Sequence, residues 1–352
     1  MAYSDIKDPS AFFQTALWTG NGGTLSVTND GNSDLQPDWV WIKNRAAYQH
    51  QVYDTNRGVH KKLMTSVTNA ESTDTTALTA FNTDGFSTGA NVGVNQNNVA
   101  HVAWQWKCNG GTTATNNDGS TASTVQVNQD AGFSIVTFDS ASSGNFSVGH
   151  GLGVQPAMII TKNREGTGQW YTWHQHLTGG TSNTSYLLSL NRTDAEASYA
   201  NAWGAGVTSS VFGMQSGNTA TASNDYVAWC FAEKQGYSKF GKYVGNGNAD
   251  GPFVYTGFKP AFVMIKPISY TEEWVIIDAK RDPYNQATLQ LKANSNGAEY
   301  NGASVTNGID ILSNGFKVRT SRTELNTSGG SLIYMAFAEN PFVADGVPTT
   351  AR

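Results

Sequence analysis

The chain has 352 residues, of which 14% are charged, with 37 glycines, two cysteines and a formal net charge of −5. Soluble domains average roughly 25% charged residues, so this surface is hydrated largely by amides and hydroxyls, and it has no basic excess to neutralise phosphates, which excludes nucleic acid as a partner. Two cysteines make no disulfide framework and are expected as free thiols, and no segment approaches the roughly 18 apolar residues of a membrane helix.

The first segment, residues 1–11, reads as an arm. It has neither the basic start nor the apolar stretch of an export signal, Pro9 discourages a helix through it, and Phe12 and Phe13 follow it as apolar anchors. Pro9, Phe12 and Phe13 are therefore expected to dock the protein onto an assembly partner. Next comes "WTGNGG", Trp18 to Gly23, which resembles a phosphate loop but has no helix after it. Gly and Asn instead supply the positive φ angles of a tight hairpin turn.

"PDWVWIKNR" from Pro37 is a continuous apolar strand ending in a lysine six residues after the proline. "YDTNR" at Tyr53 to Arg57 follows, then "DGF" at Asp84 to Phe86, and "HVAWQWK" at His101 to Lys107, whose alternation predicts a strand with one face in a core. A short helix is expected around "LMTSVTNAES", Leu63 to Ser72. The polar, small-residue segment 108–131 reads as a linker.

The same phrases then return. "PAMIITKNR" starts at Pro156 and "PAFVMIKPI" at Pro260, so that Lys43, Lys162 and Lys266 stand at one position. "TWHQH" (Thr172 to His176) and "IDAKR" (Ile277 to Arg281) take the place of "YDTNR". "YVAWCFAEK" (Tyr226 to Lys234) and "IYMAFAEN" (Ile333 to Asn340) are the late strands, and "YVGNGN" (Tyr243 to Asn248) repeats the glycine phrase, which the middle copy lacks. Short apolar runs rich in Val, Ile and aromatics, cut by Gly, Asn and Thr, predict an all-β chain. The expected architecture is three tandem β-sandwich repeats, jelly-roll-like, of about a hundred residues each, large enough to hold a core apiece. Their bounds are 12–107, 132–235 and 236–343, with a tail at 344–352. The second and third meet without a linker and are expected to pack more closely on each other than on the first.

"DPSAFFQTALWTGNG", "LQPDWVWIKNR", "HGLGVQPAMIITKNR" and "YVAWCFAEK" resemble the repeated β-domain family found in structural proteins, tail-fibre-like or unassigned, of tailed phages of marine bacteria. The resemblance covers nearly the whole chain. It implies a non-enzymatic virion protein, a tail fibre or adhesin or a capsid-surface appendage, folded in the host cytoplasm. Its partners would be other virion proteins and further copies of itself, as a homo-oligomer and as a trimer in a fibre. An alternative is an array of carbohydrate-binding modules recognising host surface glycans, with Trp170, Trp173 and Trp203 as stacking platforms.

Chemistry has little to stand on. His174 and His176 lie two apart but lack a third ligand, and "NGNADG" (Asn246 to Gly251) lacks the distal glutamate of a calcium loop, so neither a metal nor a cofactor is expected. Asp54 with Arg57, and Asp278 with Arg281, share one spacing and read as structural ion pairs. Glu272 and Glu273 are adjacent and would face opposite sides of a strand, which is not the geometry of a glycosidase pair.

Overall fold

A computed structural model describes residues 4–302, 307–341, 343–344 and 347–348. The first unit contains strands β1 (Phe13–Thr19), β2 (Leu25–Val27), β3 (Trp39–Asn44), β4 (Gln51–Asp54), β5 (Lys61–Lys62), β6 (Ser72–Thr73), β7 (Leu78–Phe81), β8 (Phe86–Thr88) and β9 (Ala100–Trp106). A one-turn helix, α1 (Val92–Asn95), precedes β9. The second unit runs through β10 (Ala114–Asn116), β11 (Ser123–Asn128), β12 (Phe133–Asp139), β13 (Asn145–Gly149) and β14 (Met158–Asn163). It continues with β15 (Tyr171–His174), β16 (Tyr186–Ser189), β17 (Ala197–Ser198), β18 (Val211–Gln215) and β19 (Asp225–Phe231). In the third are β20 (Ser238–Val244), β21 (Phe253–Tyr255), β22 (Phe258–Pro267), β23 (Val275–Asp278), β24 (Leu289–Lys292) and β25 (Tyr300–Asn301). It ends with β26 (Ile309–Leu312), β27 (Gly315–Val318), the short helix α2 (Thr323–Asn326) and β28 (Ser331–Pro341).

Each unit pairs a large antiparallel sheet with a small one. The large sheets are wound in one order, β1-β9-β3-β4, β12-β19-β14-β15 and β20-β28-β22-β23; the second is extended at both ends, by β11 and β10 and by β16 and β17, and the third at one end, by β24 and β25. The small sheets are β2-β8-β7, β13-β18 and β21-β27-β26. Register follows the same rule: Lys43 stands opposite Val102, Lys162 opposite Val227 and Lys266 opposite Ile333.

One face of each large sheet meets its own small sheet. In the first unit Val40, Ile42 and Ala103 pack with Val27, Leu78 and Phe86. The other face has a different destination. Trp39, Trp41, Trp104 and Trp106 join Phe133, Ile135, Ile160, Trp229 and Phe231, together with Phe262, Met264, Met335 and Phe337, in one cluster drawn from all three units. A core of its own for each repeat is thus only half the arrangement, because the units also share one. The continuous apolar runs of β3, β14 and β22 follow directly, since such strands are covered on both faces. β9, for which alternation suggested one solvated face, is covered on both as well, with Gln105 buried against Asn29.

At the centre three residues of the late strands β9, β19 and β28 meet. Ring centroids of Trp106 and Phe231 are 6.5 Å apart, of Trp106 and Phe337 5.5 Å, and of Phe231 and Phe337 6.1 Å. Their cross-strand partners are Trp39, Met158 and Phe262, so the three positions correspond. Each unit therefore touches both others.

The glycine phrase has a job that sequence reading placed only in part. Gly22 and Gly247 do have positive φ, 71° and 67°. The phrase, however, joins β1 to β2 and β20 to β21, strands of different sheets, so it is a crossover rather than a hairpin. Asn95 at the end of α1 holds it: its Nδ2 donates to Asn21 Oδ1 and to the Gly23 carbonyl, and its Oδ1 accepts the Asn21 N–H. Asn326 at the end of α2 does the same for Asn246 and Asn248. A Cβ on Gly20 would lie 2.1 Å from the Gln96 carbonyl oxygen, and one on Gly245 2.2 Å from that of Thr327, which is why glycine stands there.

Two segments differ from expectation. The helix sought at Leu63 to Ser72 is irregular chain, because its backbone groups are spent on neighbours: the Leu63 N–H goes to the Val52 carbonyl and the Glu71 N–H to that of Arg164. Segment 108–131, read as a linker, carries β10 and β11, and β11 pairs along its length with β12. Its Cys108 is a buried thiol bonded to the Gln126 carbonyl. The C-terminal tail, 344–352, lies largely outside the described residues.

A shared core makes the units unfold together. Trp106→Ala should cost about 3–5 kcal/mol, the usual range for a deleted core aromatic, and lower a single cooperative transition. Trp106→Phe should cost far less, because it copies Phe231 and Phe337 and removes an indole N–H that has no acceptor. Differential scanning calorimetry resolving separate transitions for separate units would contradict the shared core.

Candidate functional site

The three tryptophans expected to stack on sugar do not reach the surface. Trp170, Trp173 and Trp203 are fully buried, and their indole N–H groups donate to the carbonyls of Val67, Asn183 and Tyr186. Trp170 lies in the shared core and the other two in the core of the second unit. Turn-rich surroundings suggested exposure, but these turns fold over their own rings.

The arm residues are likewise part of the body. Phe13 is buried in the shared core, stacked on Phe337 at 5.2 Å and tilted against Trp106 at 5.1 Å. Phe12 packs on Tyr237, and Pro9 is buried at the start of a single 3-10 turn capped by Asp8. Ahead of them Ile6 is buried and the Asp5 N–H pairs with the Gln235 carbonyl. From residue 4 onward the segment clamps the chain to itself.

The histidine pair is closed. His174 is buried, its Nδ1 accepts the His176 N–H and its Nε2 meets the Tyr334 carbonyl at 3.4 Å. Burial, reinforced by neighbouring His176, pushes its pKa down to about 3. In the Asn246 loop the side-chain oxygens of Asn246 and Asn248 accept backbone N–H groups, and Asp250 pairs with Lys317. Among the described residues no three His, Cys, Asp or Glu side chains come together as metal ligands, and no helix is long and apolar enough to cross a membrane.

The strongest electrostatic feature sits where units meet. Arg57 bonds Asp54 at 2.6 Å and Glu71 at 2.9 Å, and Glu71 also holds Arg164 of the second unit at 3.0 Å. Arg281 repeats this with Asp278 and Glu299, and Glu299 holds Arg45 of the first unit at 2.6 Å. The guanidinium of Arg57 lies over Trp229, and that of Arg281 over Trp104. Burial opposes the Glu71 carboxylate, yet bonds from Arg164 and Arg57 outweigh it and hold its pKa below the ordinary value.

The third boundary lacks the network. Leu177 occupies the arginine position and Ile268 that of the partner arginine, with His174 in place of the aspartate. Glu196 keeps the backbone bond that Glu71 and Glu299 make across their boundaries, its N–H donating to the Ile268 carbonyl, while its carboxylate accepts from Thr178. The Asp–Arg spacing was visible in sequence; the glutamates and the second arginines were not. A signal did exist, because "KPI" loses the arginine in the third repeat and "TWHQH" is followed by leucine in the second, and both losses fall at one boundary.

The lysines face the boundaries too. Lys162 Nζ donates to the carbonyls of Asn163, Gly166 and Thr68, and Lys266 Nζ to those of Pro267, Glu272 and Thr193. Burial lowers the pKa of each to about 8. These ammonium groups tie loops of adjacent units rather than face a cleft.

What sequence reading missed altogether is an exposed pair. Phe253 and Tyr255 lie on the outer face of β21, 47% and 54% exposed, while Val254 between them is buried. The alternation in "GPFVYTG" was the available signal.

A buried ion network broken at one member leaves an uncompensated charge, whereas replacing it whole by apolar groups is often neutral. Arg57→Leu alone should therefore cost about 3–5 kcal/mol. Adding Asp54→His and Glu71→Gln, which leaves no carboxylate of the network unpaired and Arg164 beside Asp225 at the rim, should restore most of the loss in a denaturant titration. A triple variant weaker than the single one would refute this account.

Acid should loosen the fold in a defined window. Burial lowers His150 to about 4 and His174 to about 3. Between those values and the unfolded pKa near 6.5 the unfolded chain binds more protons, so stability falls as pH falls from 6.5 toward 4. At about 1.4 kcal/mol per unit for buried groups, the loss is on the order of several kcal/mol. Melting temperatures from pH 7 to 4.5 check it, and His174→Gln should flatten the slope.

The chain belongs to the family described as a domain of unknown function, DUF7483, whose family model matches residues 8–341. No curated protein and no solved structure matches it.

Proposed function

We propose that this DUF7483 protein is a non-enzymatic structural component of a bacteriophage particle, a tail-fibre adhesin or capsid-surface appendage built from three copies of one β-unit. The carrying observation is that three sheets close on one aromatic core inside a single chain, leaving a rigid body with a polar shell of low charge. The resemblance of its repeated motifs to phage structural proteins points the same way. The buried charged groups at the boundaries are spent on one another, which fits a load-carrying part better than a catalyst.

Such a protein assembles with other virion proteins and with further copies of itself. A fibre trimer is one form of this, and light scattering that returned the mass of one chain would remove it. Recognition of host surface glycans is the second reading, favoured by the exposed Phe253 and Tyr255. Mass spectrometry of purified particles should find the protein at fixed stoichiometry, and immunogold labelling should place it on the tail or the capsid surface. Its absence from particles washed free of lysate would overturn the reading.

A further inference from the structure

The small sheet of the third unit differs from the other two on its outer face. Register aligns Val254 with Val27 and Val148, since these stand opposite Phe316, Phe86 and Phe212. Phe253 then corresponds to Ser26 and Ser147, and Tyr255 to Thr28 and Gly149. Aromatic rings thus replace small residues in one unit only, on a face that makes no part of either core.

Beside the rings stands an ordered set of polar groups. Phe253 pairs across the sheet with Lys317, and Lys317 with Asp310. Lys317 bonds Asp250 at 2.8 Å, and Arg319 lies 3.4 Å from Asp310 and 3.7 Å from Asp250. A cleft of about 350 Å³ opens next to them, lined by Ala249, Asn285, Gln286, Asp310 and Arg319.

Two half-exposed rings offer on the order of 200 Å² of apolar area, against about 800 Å² per partner in a stable protein interface. The patch is too small for a second copy of the chain and suits a small amphipathic ligand. Two acids and two bases balance to zero, so a neutral ligand is matched better than a phosphate or an acidic sugar. A saccharide presents what this face takes: an apolar C–H side for the rings and hydroxyls that both donate and accept.

We infer that the outer face of β21, β27 and β26 in the third unit binds a neutral oligosaccharide, with Phe253 and Tyr255 stacking and Asp310, Lys317 and Arg319 meeting hydroxyls. This rests on the adhesin reading and moves its contact from the buried tryptophans to one unit. The test uses the full chain against immobilised neutral tetrasaccharides of glucose, galactose and mannose, followed by calorimetric titration of any that is retained. Binding should be seen, and Phe253→Ala and Tyr255→Ala should each weaken it tenfold or more with unchanged melting temperature. No retention of any neutral probe overturns the site, as does binding that survives the double variant. Retention of acidic glycans alone, or a concentration-dependent dimer abolished by Tyr255→Ala, also overturns it. Failure here with the protein present in particles removes the site and leaves the virion reading intact, whereas absence from particles removes that reading instead.

Discussion

Everything else in this molecule hangs on the contact of Trp106, Phe231 and Phe337. Each comes from an interior strand of its large sheet, paired on both sides, so bringing the three rings together fixes three sheets at once. A sandwich of two sheets ordinarily buries one face of each. Here the second face of the large sheet is apolar as well, and only the other two units can cover it. Burial of an apolar side chain contributes about 1.5–3 kcal/mol; with the aromatics concentrated here, the shared core outweighs any single boundary contact. The polar networks at the rim are subordinate to it and adjust the fit.

That ranking explains why the boundaries can differ chemically while the backbone does not. All three keep the N–H bond from a glutamate to the strand end of the next unit, made by Glu71, Glu196 and Glu299. Two add buried arginines and one adds Leu177 and Ile268. Desolvating ions takes back most of what their attraction gives, so the exchange of network for hydrocarbon changes specificity of pairing more than strength. An arginine that reaches over Trp229 cannot equally seat at a boundary that presents Met335, and this discriminates the right neighbour from the wrong one.

The all-β class, the continuous strands and the Asp–Arg pairs were legible in the sequence because each follows from a local rule: propensity, periodicity or fixed spacing. Three of the failures were of one kind. Phe13, Trp170 and the segment 108–131 look peripheral when judged by their neighbours in the chain, and each is covered by residues from far away in it. Trp170 is sealed partly by Val67, and Phe13 by Phe262 and Phe337. Local pattern says that a residue is apolar; only topology says what covers it. The exposed pair Phe253 and Tyr255 escaped notice for the converse reason, because an aromatic in a strand is ordinarily core.

Phe13 stacking on Phe337 has a consequence for the order of events during synthesis. A ribosome delivers the first unit long before the strand that carries Phe337. Until that last strand emerges, Trp106 of the first unit and Phe231 of the second lack the cover that Phe337 gives them. Contacts so distant in sequence are slow to form, and open apolar sheets invite misassembly in the meantime. Uncovered rings of this kind are what chaperones bind, and the shared core cannot be complete before the strand that carries Phe337 is made. Once closed, no unit can peel away without exposing the same surface again, so the barrier that slows closure also protects the folded chain against unfolding.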